Sequence, residues 1–170
     1  MDPCPKEVIA WEPTVQKYLL GTISLNLVLA MIWQETIPPG NPWRPRWEKR
    51  YIWFYDHGRG IPLAERPYED VEKNRHKAET VLGSTEFICQ SLSWGLLQIM
   101  GAAARERGFR GDLPELATPD CGLKYGIKHL WEYGLLYGKL SVSEGLRRYN
   151  GGPTYADKVL RKLTEIERAV

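Results

Sequence analysis

Residues 24–40 constrain this chain more than any other stretch. Leu25, Val28, Leu29 and Ile32, with Leu27 and Met31 between them, recur at helical spacing behind Ser24, a residue that can cap a helix. Pro38-Pro39-Gly40 stops the run. The pattern predicts a largely buried helix over residues 24–36, so the rest of the chain must pack around it. The apolar window that contains it, residues 18–33, is broken by Gly21, Thr22, Ser24 and Asn26. It falls short of the roughly 20 residues that cross a bilayer, and membrane insertion is not expected. With 170 residues in all, the chain is expected to form a single domain over 1–170, since domains commonly run to about 100 to 200 residues.

Charge narrows the partners. Lys plus Arg number 23 against 21 Asp plus Glu, a net charge of +2, too small for a global field that would hold nucleic acid. The three cysteines, Cys4, Cys89 and Cys121, lie far apart and are odd in number, unlike a zinc motif or a secreted disulfide framework. Met1-Asp2-Pro3-Cys4-Pro5 has no basic stretch leading into an apolar one, so the expectation is synthesis in the cytoplasm without a signal peptide.

Elsewhere the helical signal is strong at the end of the chain and weak in the middle. Leu96, Leu97, Met100, Ala103 and Ala104 share a face from Gly95 onward, with Gly108 placed to end the helix. Asp120 can cap a segment whose stripe is Leu123, Ile127, Leu130, Trp131 and Gly134. Ser141-Val142-Ser143-Glu144 has capping-box spacing. After Gly151-Gly152-Pro153 a terminal helix turns Tyr155, Val159, Leu163, Ile166 and Val170 inward. Between them, aromatics (Trp43, Trp47, Tyr51, Trp53, Phe54, Tyr55) alternate with Arg44, Arg46, Lys49, Arg50 and Arg59. Residues 46–54 suit a short strand or hairpin arm, and residues 68–82 a polar surface helix. The fold expected is mainly α, with an irregular aromatic-rich insertion over about 48–91.

Glu35 stands out chemically. Val28, Met31 and Ile32 precede it by seven, four and three positions, so it shares their apolar face. A carboxylate there loses hydration, its pKa rises, and it can hold a proton near neutrality for delivery to a leaving oxygen. The plainer reading is a solvated glutamate near a helix end. Ser93-Trp94-Gly95-Leu96-Leu97-Gln98 offers a polar turn that can line a cleft or simply begin a helix, and Tyr149-Asn150-Gly151-Gly152 sets a phenol and an amide beside a break.

Taken in order, residues 27–36 followed by Asn41-Pro42, then Gly95-Leu96-Leu97-Gln98-Ile99-Met100, then Arg148-Tyr149-Asn150-Gly151-Gly152, resemble the lytic transglycosylase and goose-type lysozyme superfamily. They look like that family's helix ending in Glu-Ser, its Gly-Leu-Met-Gln motif and its Tyr-Asn-x-Gly motif. Phage-encoded members look closest, through Ser93-Trp94-Gly95 and Gly111-Asp112-Leu113-Pro114-Glu115-Leu116. The resemblance implies a lysozyme-like domain with Glu35 as catalytic acid, and with Thr36, Ser93, Gln98, Tyr149 and Asn150 touching or supporting the substrate. Thr36 stands where the family commonly has Ser, which keeps the hydroxyl.

Met100 is a larger departure. Goose-type lysozymes commonly carry an aspartate just after the glutamine motif, and Ile99, Met100 and Gly101 provide none. An inverting hydrolase needs a second carboxylate roughly 6.5 to 9.5 Å from the acid; Glu86, in the insertion, is the candidate, against the plainer reading of a solvated loop glutamate. The family's transglycosylases need one carboxyl only, which serves as acid and then as base while the substrate's acetamido group assists. The resemblance therefore points to a peptidoglycan lytic transglycosylase, a phage endolysin or virion-associated lysin, reaching the wall through a membrane lesion or in the particle. A goose-type lysozyme hydrolysing the same bond, a chitin-cleaving relative and a non-catalytic glycan-binding or virion structural domain are the alternatives.

The basic aromatic stretch suits glycan: indole faces stack on sugars while Arg44, Arg46 and Arg50 meet lactyl and peptide carboxylates. It also suits a packing lid with solvated arginines. Single-stranded nucleic acid, which stacks on aromatics too, ranks lower because the stretch is short. His57, His76 and His129 have no metal-ligand spacing, so no metal and no cofactor is expected. His129 reads as surface or structural, His57 as a residue near the cleft, and the chain as a monomer.

Overall fold

The computed structural model describes residues 4–168; Met1, Asp2, Pro3 and Val170, used above, lie outside the described residues. The chain runs α1 (Lys6–Ile9), α2 (Glu12–Gln16), α3 (Leu25–Glu35), β1 (Arg46–Trp47), β2 (Tyr55–Asp56), β3 (Ile61–Pro62), α4 (Val71–Leu82), α5 (Ser84–Gln90), β4 (Leu92–Trp94), β5 (Ile99–Met100) and α6 (Gly101–Glu106). A 3-10 turn (Leu113–Ala117), α7 (Pro119–His129), a π-helical turn (Leu130–Gly134), α8 (Val142–Asn150) and α9 (Tyr155–Arg168) complete it. The molecule is mainly helical with a small antiparallel sheet, and no helix among the described residues is long and apolar enough to cross a membrane.

α3 is the axis of the core. Ser24 accepts a hydrogen bond from the Leu27 amide at 3.2 Å, satisfying an N–H that the first turn leaves free. Every residue from Leu27 to Ile32 is buried, because α9 packs along one side and α1 and α2 cover others. Burying such side chains stabilises the fold by about 1.5–3 kcal/mol each. The helix is long enough to carry Glu35 from this core to the edge of a groove.

The sheet lies beside the groove. β4 is its middle strand, with Ser93 opposite Arg46 of β1 on one side and opposite Met100 of β5 on the other. β2 and β3 form a separate hairpin. The strand expected over 46–54 therefore ends at Trp47. After a last ladder bond from the Glu48 amide to the Ser91 carbonyl oxygen the chain turns, and Arg75 of α4 holds that turn: its Nη1 donates to the carbonyl oxygens of Glu48 at 3.3 Å and Tyr51 at 2.8 Å. The guanidinium also lies over Trp47, Phe54 and Phe87. Phe54, Leu63, Ala78 and Phe87 give the insertion a small core of its own.

The helix expected from Gly95 starts only at Gly101. Residues 95–98 instead form the turn between β4 and β5, with left-handed backbone at Gly95 (φ 69°) and Gln98 (φ 47°). A Cβ at Gly95 would lie 2.4 Å from the Leu116 carbonyl oxygen, so both conformation and space require glycine there. Leu96 and Leu97 are fully buried from the turn, which is why their spacing reads as helix. Asp120 is likewise not the cap of α7. Thr118 holds that position, and the Asp120 carboxylate accepts from the Tyr18 hydroxyl at 2.8 Å. The polar helix expected over 68–82 begins at Val71, capped by Asp70, while the Ser141–Glu144 capping box and the turns at Gly108 and Gly151 fall where the pattern places them.

Candidate active site

A cavity of about 840 Å³ opens where the C-terminal end of α3, the β4–β5 turn, the insertion and the ends of α7 and α8 converge. Its size is within the roughly 300–1,000 Å³ usual for ligand sites. Glu35, Ser93, Gln98, Tyr149 and Asn150 all line it. The fold thus brings together residues separated by most of the chain.

Glu35 is the last residue of α3. Burial pushes its carboxyl up to about 7, because the ionised form loses hydration against its apolar neighbours; Tyr155, Arg46 and Asn150 pull the other way, and Glu48 adds to the rise. The group is therefore divided between acid and base forms near neutral pH. Two contacts fix the helix end that aims it. Thr36 donates its hydroxyl to the Ile32 carbonyl oxygen at 2.6 Å and accepts from the Gly40 amide at 2.6 Å. Lys162 donates to the Trp33 carbonyl oxygen at 3.1 Å, placing a cation at the negative end of the helix.

Thr36 is 3% exposed, and its hydroxyl both donates and accepts within the chain, so its expected contact with substrate is replaced by a role in ending α3. Ser93, also buried, donates to the Gln98 Oε1 at 2.9 Å, and the Gln98 amide donates to the Gly95 carbonyl oxygen at 2.9 Å. These bonds hold Gln98 in its left-handed conformation with one edge on the cavity. Tyr149 donates to the Leu97 carbonyl oxygen at 2.8 Å. Asn150 is exposed at the end of α8, accepts from the Gly152 amide and acts on the Glu35 carboxyl.

Tyr155 is a site residue that the sequence pattern placed only in the core. It is 6% exposed, and its hydroxyl has no partner at full hydrogen-bonding geometry among the described residues. It is near enough to Glu35 to favour the ionised carboxylate. The available signal was chemical: an inward tyrosine needs a partner for its hydroxyl.

Glu86 lies outside the cavity lining. Arg105 grips its carboxylate through Nε at 2.7 Å and Nη2 at 2.9 Å, and Gln90 donates at 2.9 Å. Burial alone would raise its pKa, but these hydrogen bonds together hold it below the ordinary value. The expectation of a second cleft carboxylate at Glu86 is therefore corrected: Arg105, 5% exposed, needs that charge. His57 sits 3.8 Å from Glu86 and is likewise outside the cavity. The carboxylates that do share the cavity with Glu35 are Glu48 and Glu106. Glu48 pairs with Arg46 at 2.6 Å.

His129 lines the cavity and is 8% exposed, so of its two readings, surface or structural, the surface one does not hold. Burial, reinforced by Arg107, pushes its pKa down to about 3, so the imidazole is neutral. From the insertion, Arg50, Trp53 and Tyr55 reach the cavity, while Trp43 stays outside it and is 62% exposed. Among the described residues no group of three His, Cys, Asp or Glu side chains could hold a metal ion. Comparison with protein-family models, curated proteins and solved structures found no match to this chain.

Proposed function

We propose that this chain is a peptidoglycan lytic transglycosylase on a lysozyme-like fold, of phage endolysin or virion-associated type, that cleaves the β-1,4 bond between N-acetylmuramic acid and N-acetylglucosamine. The observation that carries the reading is Glu35, a carboxyl with a pKa of about 7 on the wall of a cavity that also holds Gln98, Tyr149 and Asn150. A general acid works best when its pKa lies near the working pH.

The chemistry needs one such group. Neutral Glu35 gives its proton to the glycosidic oxygen as the C1–O bond breaks, and the substrate's acetamido oxygen bonds to C1. The resulting carboxylate then takes the proton of the muramyl C6 hydroxyl. That oxygen attacks C1, the acetamido oxygen leaves, and an anhydro ring closes with Glu35 reprotonated. Asn150 and Tyr155 favour the ionised state while burial favours the neutral one, so each half of the cycle has support. Exposed indoles at Trp47 and Trp53 beside Arg46 and Arg50 suit a strand of sugars carrying carboxylates.

Glu48 favours a second reading, hydrolysis, because it lines the same cavity and acts on Glu35; a second carboxylate can hold an attacking water. Digestion of murein followed by mass spectrometry separates the two. Anhydromuropeptides are expected; reducing ends alone would assign the chain to the lysozymes, and no cleavage would leave a glycan-binding domain.

A further inference from the structure

The cavity extends past Glu35 to an end built on the π-helical turn. His129 closes α7, and Tyr133 follows it within that turn, their rings stacked at 5.1 Å and 12°. Such turns are uncommon and concentrate at functional sites. The Arg148 guanidinium lies 4.7 Å from the Tyr133 ring centre, and its Nε donates to the Tyr133 carbonyl oxygen at 3.0 Å. Its two terminal nitrogens have no protein partner among the described residues. Tyr51 comes from the insertion and lines the same cavity as Glu106 and Tyr133. Glu106 pairs through one oxygen with Arg107 at 2.7 Å, leaving the other unpartnered among the described residues.

Two opposite charges thus line one cavity without pairing to each other, between aromatic walls. His129 is 8% exposed, and its Nδ1 is buried with no partner among the described residues. A sugar hydroxyl can hydrogen-bond to either group but neutralises neither charge. A group with an ammonium and a carboxylate side by side uses both.

Resting on the reading of the chain as a murein-cleaving enzyme, we propose that this end binds the peptide stem of the substrate at a diamino dicarboxylic acid, with Arg148 taking its free carboxylate and Glu106 its free ammonium. Tyr51 and Tyr133 flank the aliphatic part of that residue. The site selects glycan strands that still carry uncrosslinked stems.

The test compares murein strands bearing their stems with the same strands after an amidase has removed them, using the wild type, Arg148→Gln and Glu106→Gln. Each variant is expected to raise KM on stem-bearing strands about tenfold, the worth of roughly one charge-assisted contact, with a several-fold smaller effect on stripped strands. Equal effects on both substrates, or none on the stem-bearing one, overturn the proposal. Titration calorimetry with the free tetrapeptide stem gives a readout independent of cleavage. The wild type should bind it, both variants about tenfold more weakly, and acetylating the side-chain amine should remove the difference between wild type and Glu106→Gln. Failure of the wild type to bind the peptide overturns the proposal whatever the digestion yields. Peptide binding by a chain that cuts no murein would uphold the site and overturn the enzymatic reading instead.

Discussion

The Tyr149 hydroxyl donates to the Leu97 carbonyl oxygen at 2.8 Å, joining α8 to the turn that carries Gln98. The phenol is a strut between two walls of the groove. Removing it in Tyr149→Phe leaves a carbonyl of a fully buried residue without its donor, at a cost of about 1 to 3 kcal/mol. Chemical denaturation should register that loss. Cleavage should fall further than stability because Gln98 loses its brace; a variant with wild-type midpoint and rate would remove the strut.

Glu35 links function to stability. Its folded pKa of about 7 exceeds the ordinary glutamate value of 4.5, so the folded state holds the proton over that interval. Stability is therefore greatest below pH 4.5 as far as this group is concerned, declines as pH rises toward 7, and is level above it, a change on the order of 3 kcal/mol. Glu35→Gln should be more stable than the wild type at pH 8 and show no such decline. Its rate should fall by on the order of 10² or more, the usual worth of an acid catalyst. Denaturant midpoints of the two proteins across pH, and murein turbidity, check both halves.

Glu48 raises the Glu35 pKa by charge repulsion. Glu48→Gln should move the alkaline limb of kcat/KM, where the acid form of Glu35 is lost, to lower pH. Products should still end in anhydro sugars if water is not the nucleophile. An unmoved limb would show that the two carboxylates do not communicate, and loss of all turnover with the limb in place would favour the hydrolytic role for Glu48.

Glu86 serves the fold through its two bonds to Arg105. Glu86→Gln strips the buried Arg105 of its counter-charge, and about 2 kcal/mol is expected, less than for a fully buried pair because the glutamate keeps some exposure. The depressed pKa gives this contribution a sign with pH: present above the ordinary carboxyl range and lost as pH falls through the lowered value. Thermal melts should show the variant's deficit at pH 7 and its shrinkage in acid, with kcat near wild type on the folded enzyme.

Much of the frame was legible because it follows from local periodicity. Ser24 and the apolar run to Ile32, the Ser141–Glu144 box and the stop at Gly151 each depend on neighbours within a turn or two. Gly95 to Gln98 reads as a turn or as a helix start because two leucines at adjacent positions fit either, and only packing on Leu116 distinguishes them. The strand at Arg46 was visible, but its end at Trp47 was not, since the turn that follows is held by Arg75 from a distant helix.

The amino-acid order by itself determined a buried helix with Glu35 on its apolar face, and left open whether that carboxyl is solvated. Tertiary structure alone decided its company: Tyr155 beside it, Glu48 and Glu106 in the same cavity, Glu86 bound to Arg105, and His129 drawn inside. Helix faces are written in spacings of three and four residues, whereas desolvation and charge pairing depend on groups that the chain brings together from far apart.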